Sequence, residues 1–163
     1  MKTTKIKRYV VLGILFFLPV AFLLMLYPAK HNYEPLNIVN KNVSDIENFT
    51  SDGSDSLRLK DHISVLGFLG KTPLKKSIAA SNLKELVYDK FKGFKNFQIV
   101  IVVPIGSEEE VKALKNEINT YEDLKYWHYA FATDGEIKML FNTLNSSEVL
   151  ADDLSLNSVF IID

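Results

Sequence analysis

Hydrophobic and polar positions divide the chain into one long apolar run and a following region of short alternating patterns. The residues from Tyr9 to Ala29 include no charged side chain, and these 21 residues are enough to cross roughly 30 Å of hydrocarbon as a helix. Lys2, Lys5, Lys7 and Arg8 precede the run. The positive-inside rule therefore predicts a cytoplasmic N-terminus, with the rest of the chain on the outer side of the membrane.

A cleaved signal peptide is the competing interpretation of this run. The apolar core is longer than a typical signal peptide has, and no A-x-A-like cleavage site follows it. Both interpretations export the domain. The predicted organisation is a cytoplasmic basic tail (1–8), a transmembrane anchor (9–29), a polar tether (30–46) and a domain (47–163).

Beyond the tether, apolar runs of strand length alternate with segments of helical period. Residues 51–54 are typical of a hairpin turn between two short extended pieces. Longer strands are predicted at Ile63–Leu69, Phe97–Pro104, Tyr126–Ala132 and Ser158–Asp163. The second of these is apolar on both faces, which is typical of a strand covered on both sides by helices.

Three helices are predicted between these strands. The first runs from Ser77 to Phe91, with an inner face of Leu83, Leu86, Val87 and Phe91. Ser107 and Glu110 form the pattern of a capping box for the second helix, and Asp134 is the predicted cap of the third. The inner positions of these two helices are Val111, Leu114, Ile118, Ile137, Leu140, Phe141 and Leu144.

This order predicts an α/β fold with a central, mostly parallel sheet flanked by helices, preceded by one transmembrane helix. The last strand ends the printed sequence without a polar tail. A strand of this kind usually leads into a further element, so we expect the domain to be truncated at its C-terminus.

Composition limits the chemistry open to this domain. Apolar residues make up 47%, which fits a globular core rather than a disordered chain. Beyond the apolar run, 15 basic residues face 20 acidic ones, so the basic excess that nucleic-acid binding requires is absent. The sequence contains no cysteine, which excludes disulfides, thiolate metal ligands and thiol nucleophiles.

From Phe49 onward the pattern resembles the thioredoxin-like superfamily in its peroxiredoxin-like branch and, more narrowly, the membrane-anchored SCO family. The resemblance is carried by the N-terminal anchor, by the hairpin-like NFTSDG at 48–53, and by Leu69, Gly70 and Thr72 at the start of a loop after a strand. It implies copper handling or thiol exchange in assembling the copper centre of cytochrome c oxidase.

The residues that perform this chemistry in the SCO family have no counterpart here. Leu74 and Ile78 occupy the places of its two cysteines, Pro73 that of its loop histidine, and Ser155 lies near that of its late histidine. Copper(I) prefers thiolate and imidazole ligands, which these side chains do not provide. We therefore expect a degenerate site, with Ile78 packed inward and Leu74 exposed.

Other polar residues provide few substitutes. A small basic cluster is formed by Lys71, Lys75 and Lys76. It could bind an anion or an acidic partner, or it could be an ordinary solvated surface. The histidines lack ligand spacing, and the serines after the loop lack a nucleophile motif. The acidic residues before the last strand lack the spacing of a calcium loop, and the three consecutive glutamates suit a helix N-terminus through the helix dipole. These residues are His31, His62, His128, Glu108, Glu109, Glu110, Glu148, Asp152, Asp153, Ser77 and Ser81.

Three functional hypotheses follow. The first is a membrane-tethered, non-redox module that binds another envelope protein, with respiratory oxidase assembly as the setting that the resemblance implies. The second is an enzyme or carrier with a non-thiol site on the same scaffold, and the third is residual copper handling through histidine and methionine. The absence of a catalytic constellation favours the first, with no cofactor and no nucleic acid.

Overall fold

The computed structural model describes residues 2–26, 40–53, 56–119 and 123–163, and the chain divides into two compact units, Met1–Asn37 and Ile38–Asp163. In the first unit, helix α1 runs from Lys2 to Leu26. Its segment Ile6–Met25 is long and apolar enough to cross a membrane, a criterion that an N-terminal signal sequence can also meet. His31, and residues 30–39 of the predicted tether, lie outside the described residues.

The second unit contains five strands and a series of helices. The strands are β1 (Thr50–Ser51), β2 (Ile63–Leu69), β3 (Phe97–Pro104), β4 (Trp127–Ala132) and β5 (Ser155–Ile162). The helical elements are a 3₁₀ turn (Pro73–Lys76), α2 (Ser77–Leu83), a π-helical turn (Lys84–Tyr88), α3 (Asp89–Phe91), α4 (Glu108–Ile118) and α5 (Asp134–Thr143).

The strands form one mixed sheet with the order β1-β4-β3-β2-β5. The pairs β2–β3 and β3–β4 are parallel, whereas β1–β4 and β2–β5 are antiparallel. The α/β prediction is confirmed, but the prediction of a mostly parallel sheet is wrong. The reason is that the chain between α5 and β5 turns back, through Asn145 and Leu154 with φ of 50° and 65°, and places β5 antiparallel on the outer side of β2.

The predicted hairpin at 51–54 is also corrected. Thr50 pairs with Phe131 of β4 instead, and no described residue between 56 and 62 belongs to a strand. The carboxylate of Asp45 accepts the N–H groups of Ile46 and Leu59, both at 2.7 Å. These two bonds, rather than strand pairing, hold the segment around Leu59 in place. Leu57 and Leu59 are buried in the core, and so is Ile46, which the sequence assigned to the tether.

Strand β3 lies at the centre of two hydrophobic layers, and all eight of its residues are buried. On one face Val65, Ile99 and Tyr129 pack with the inner positions of α4, and on the other face Leu66, Val100 and Ile137 of α5 pack together. The predicted inner faces of α4 and α5 are confirmed. Strand ends differ from the prediction by a few residues, as β5 begins at Ser155 and β4 at Trp127.

The inner face predicted for the helix after β2 is confirmed only in part, since Leu83 and Val87 pack against the core as predicted. Ala80 and Tyr88 are buried, whereas Leu86 and Phe91 are exposed. Two departures from the 3.6-residue period cause this difference, since a 3₁₀ turn begins the helix and a π-helical turn interrupts it. Each departure rotates the residues that follow it relative to a regular α-helix.

Candidate functional site

The loop that follows β2 is fixed to the start of β5. Gly70 has a φ of +72°, and a Cβ built on it would lie 2.6 Å from the carbonyl oxygen of Asp153. The next residue, Lys71, donates its backbone N–H to that same oxygen at 3.0 Å. Glycine is required here because L-residues rarely adopt this φ and because the neighbouring backbone leaves no room for a side chain.

The three degenerate positions lie on the elements that this loop joins. Ser155 is buried, pairs with Leu69 across the β2–β5 ladder, and lies beside Gly70. Leu74 is half-buried against the core layer that contains Val65, whereas 78% of Ile78 is exposed. The expected orientations of Leu74 and Ile78 are therefore reversed, because the 3₁₀ turn places Leu74 over the core before α2 begins.

The predicted basic cluster is partly neutralised by nearby acidic residues. The ammonium of Lys71 lies 2.9 Å from a carboxylate oxygen of Asp134, and both side chains are about half exposed. The ammonium of Lys76 donates to the amide oxygen of Asn157 at 3.3 Å. Lys75 is exposed. Two of the three lysines thus hold the loop to α5 and β5, which is a structural role.

Asp153 also serves the contact between the loop and β5. Hydrogen bonds from Ser155, whose N–H lies 3.0 Å from Asp153 Oδ1, lower the pKa of this carboxyl below its ordinary value. The positive charge of Lys76 lowers the same pKa to a smaller extent. In the same loop Glu148 accepts a hydrogen bond from the hydroxyl of Ser158 at 2.8 Å. Asp153 and Glu148 therefore accept hydrogen bonds from neighbouring residues of the domain, which is a structural role.

A groove opens between the helix after the loop and the β2–β5 side of the sheet. We call it the α2–β5 groove; its volume is about 390 Å³, and its lining comprises Gly67, Phe68, Leu69, Ala79, Ala80, Asn82, Leu83, Leu86, Val87, Ile101, Leu156, Asn157, Ser158 and Val159. None of these side chains is charged. Leu86 is 61% exposed and Val159 44% exposed, so the groove has apolar side chains on both rims.

Gly67 sets the depth of this groove. A Cβ at this position would lie 3.1 Å from Ile101 and 3.6 Å from Val159. Any larger residue at 67 would therefore fill the floor between the helix and β5. The sequence pattern indicated the loop but not Gly67. The effect of Gly67 on the groove depends on β5, which pairs with β2 but lies far from it in the sequence.

A second concavity of about 440 Å³ lies between β1 and α4. Asp52 forms an ion pair with Lys115 and accepts the backbone N–H of Tyr129 at 3.1 Å. The ammonium of Lys115 lies 5.4 Å from the centre of the Tyr129 ring, and burial raises the pKa of that phenol above its ordinary value. Asp52 and Lys115 neutralise each other, so this pair joins β1 to α4.

The helix caps partly differ from the predictions. Ser107 is the N-cap of α4, but its side chain makes no capping bond and donates to the Lys71 carbonyl at 3.4 Å. The carboxylate of Glu108 accepts the N–H of Gly106, which lowers the pKa of Glu108. For α5 the cap is Thr133, which forms a capping box with Glu136, rather than Asp134.

The remaining candidate residues do not come together. His62 lies within 3.0 Å of the Lys60 carbonyl, and His128 is half-buried on β4. Ser77 and Ser81 are half-buried on α2. Within the described ranges, no group of three or more histidine, aspartate or glutamate side chains lies close enough to hold a metal ion.

Comparison with protein-family models, with curated proteins and with solved structures found no match. The functional interpretation therefore depends on the geometry of the loop, the α2–β5 groove and the charges around them.

Proposed function

We propose that this protein is a membrane-tethered, non-redox module with a thioredoxin-like fold that binds another protein of the cell envelope. In this proposal the N-terminus is cytoplasmic and the domain lies on the outer side of the membrane. Respiratory oxidase assembly is the setting that the family resemblance implies. The observation that carries the proposal is the uncharged α2–β5 groove beside the loop.

The placement of the loop supports the thioredoxin-like part of the proposal. In the SCO-like pattern a loop after a strand and a segment before a late strand contribute to one site. In this chain the loop after β2 and the start of β5 are adjacent, joined by the bond from Lys71 to Asp153. This adjacency supports the proposal of such a scaffold, and Leu74, Ile78 and Ser155 supply neither thiol nor imidazole.

The exposed apolar side chains support protein binding rather than catalysis. Ile78 and Leu86 lie on the helix, and Val159 and Ile161 lie on β5, with between 44% and 78% of each side chain exposed. Contiguous exposed apolar surface in a globular protein is typical of an interaction site. Catalysis would require titratable groups placed to transfer protons at the groove. The lining contains no titratable side chain, and its one hydroxyl, that of Ser158, donates a hydrogen bond to Glu148 at 2.8 Å.

The test is site-specific crosslinking in native membranes. A photo-reactive amino acid is introduced in the full chain in place of Leu86, which lines the groove and is 61% exposed, and the adducts are identified after irradiation and purification. We expect one dominant protein adduct. The control places the same amino acid at Met139, which is 63% exposed on α5 and does not line the groove.

A double variant, I78S/L86S, tests whether the apolar surface is responsible. Both side chains are exposed, so we expect the folded domain to persist. With the photo-reactive group moved to Ala79 on the groove wall, this variant should lose the dominant adduct. Equal adducts from the Leu86 and Met139 positions, or none from either, would contradict the proposal.

A further inference from the structure

Two phenylalanine side chains are exposed where the chain turns from α3 into β3. Phe91 is 45% exposed and Phe94 58% exposed. Their ring centres lie 5.9 Å apart, and the ring of Phe91 lies equally far from that of Phe97, which is buried. The N–H of Phe94 donates to the Phe91 carbonyl at 2.9 Å, and the N–H of Phe97 donates to the Phe94 carbonyl at 3.3 Å. The turn is therefore fixed to the core while it exposes two aromatic rings.

Lysines alternate with these rings in the sequence. Residues 90–95 read KFKGFK, and we call them the aromatic–lysine turn. The ammonium of Lys92 lies 3.1 Å from a carboxylate oxygen of Asp89. Lys90 and Lys95 are exposed, and neither forms an ion pair with any residue that the structure describes. The turn thus combines two exposed rings with two positive charges that no described carboxylate neutralises.

The charge of the surrounding segment is opposite to that of the domain as a whole. Residues 71–95 contain seven lysines and two acidic residues, whereas the chain beyond the apolar run has 15 basic and 20 acidic residues. The ion pair of Lys71 with Asp134 removes one of the seven positive charges, and an excess remains. A negatively charged surface is therefore attracted to this segment, and salt weakens the attraction.

A lipid surface is the partner that this combination fits best. Aromatic rings enter the boundary between headgroups and acyl chains, and ammonium groups attract anionic headgroups. An acidic protein would also attract the lysines, but it would need a shaped pocket for the two rings, whereas a bilayer accepts them without one. The chain itself contains a segment, Ile6–Met25, that is long and apolar enough to cross a membrane. With such an anchor, docking of the domain is an intramolecular step, so a small patch is sufficient.

We propose that the aromatic–lysine turn docks on the surface of a membrane that contains anionic phospholipid, with Phe91 and Phe94 in the headgroup region. Docking through this turn gives the domain a fixed orientation on the bilayer. The inference rests on the anchoring part of the proposed function, and it uses none of the side chains that line the α2–β5 groove.

The test places a fluorescent probe in the turn of the full chain. The sequence has no cysteine, and a Cβ at Gly93 meets no atom within 4 Å, so Gly93→Cys gives one labelling site and leaves the rings and lysines unchanged. The labelled chain is reconstituted in nanodiscs of phosphatidylcholine, with or without phosphatidylglycerol, that carry a lipid spin-labelled near its headgroup. We expect the spin label to quench the probe more strongly when phosphatidylglycerol is present. A probe on Met139→Cys, at a position 63% exposed on α5, should be quenched little in either disc.

Charge reversal tests whether the lysines of the turn are responsible. In the Gly93→Cys chain, K90E/K95E should lower the quenching in phosphatidylglycerol discs to the level of phosphatidylcholine discs. The matched control K112E/K138E makes the same change in net charge at exposed lysines of α4 and α5, and should keep the quenching. Phe94→Ser should lower the quenching in both discs, because it removes one ring. Urea midpoints show that each variant is folded.

Quenching at position 93 that is no greater than at position 139, or that is unchanged in K90E/K95E, would overturn the inference. So would a photo-crosslinker on the Gly93→Cys thiol that attaches to a protein rather than to lipid in native membranes. A chain that does not remain in the discs would refute the anchor and the inference with it, whereas a retained chain without quenching would refute the inference alone. The discs contain no other protein, so neither result bears on the protein partner proposed for the groove.

Discussion

Replacing Gly70 with alanine tests how the loop is joined to β5. The change introduces a Cβ 2.6 Å from the Asp153 carbonyl oxygen and 3.0 Å from the Ser155 nitrogen, and both of these are backbone atoms. The backbone at Gly70 also has a φ of +72°, which alanine adopts at a cost. The loop and the beginning of β5 must therefore move apart, and the bond from Lys71 to Asp153 must lengthen or break.

The two effects can be estimated separately. The left-handed φ costs a residue with a Cβ about 1–2 kcal/mol. Loss of the backbone hydrogen bond between Lys71 and Asp153 costs about 0.5–1.5 kcal/mol net. We therefore expect Gly70→Ala to lower the free energy of unfolding by about 2–3 kcal/mol.

The assay is urea unfolding of the full chain in mild detergent, followed by the fluorescence of Trp127. This is the one tryptophan in the sequence, and it is 5% exposed in the core. Midpoints are compared at a common slope, because the slope reports the surface exposed on unfolding. Trp127 lies on β4, away from the substitution, so its signal in the folded state should be unchanged.

Two other glycines provide matched controls. Gly106 has a φ of +95° but no atom within 4 Å of its Cβ position, so Gly106→Ala should cost about 1–2 kcal/mol from the backbone alone. Gly135 in α5 has neither constraint, so Gly135→Ala should be neutral or stabilising by up to about 1 kcal/mol. If Gly70→Ala costs no more than Gly106→Ala, the contact between the loop and β5 is not as described.

Three further predictions use the same unfolding assay. Gln98 donates to the Arg58 carbonyl at 2.6 Å and to the Ser64 hydroxyl at 2.8 Å, so Gln98→Met should cost about 2–3 kcal/mol by leaving both acceptors buried without a donor; a loss below about 0.5 kcal/mol would argue against this network. Leu74 packs on the core and Ile78 does not, so Leu74→Ala should cost about 1–2 kcal/mol and Ile78→Ala less than about 0.5 kcal/mol; the reverse order would restore the orientation expected from the sequence. Asp153→Asn keeps the acceptor for Ser155 but removes the charge. The pKa of Asp153 is lowered on folding, so the ionised carboxylate stabilises the fold at pH values above its ordinary pKa of 3.8. This contribution is lost as the pH falls through the lowered pKa of the folded state. The variant should therefore be less stable at pH 7 by under about 1 kcal/mol, since the group is exposed, and match the wild-type chain near pH 2; a difference that persists at low pH would assign the effect to geometry rather than charge.

The elements with a regular local period were predictable from the sequence. Val111, Leu114 and Ile118 repeat at helical spacing, and β3 is apolar on both faces, so both elements were placed nearly to the residue. The direction of β5 was not predictable in this way. A helix between two strands shows that the chain crosses the sheet, but the antiparallel return to the side of β2 depends on the turn through Asn145 and Leu154.

Part of the candidate site followed from the sequence and part did not. The alignment of the last strand put Ser155 near the position of the SCO family's late histidine, and the structure places Ser155 beside Gly70 of the loop. The orientation of Leu74 and Ile78 was wrong because it assumed an α-helical period through a 3₁₀ turn. The pair of Asp52 and Lys115 was missed because 62 residues separate the two members, and local patterns carry no information about such contacts.

The π-helical turn at Lys84–Tyr88 makes the groove sensitive to the number of residues in this helix, and not only to their identity. A π-helical turn holds about one residue more than an α-helical turn of the same rise. Removing one residue from this turn would therefore restore a regular helix and rotate Leu86 relative to the α2–β5 groove. Chains of this type that differ by a single deletion here should keep the sheet but lose one apolar rim of the groove, so length at this point should distinguish chains that bind through the groove from those that do not.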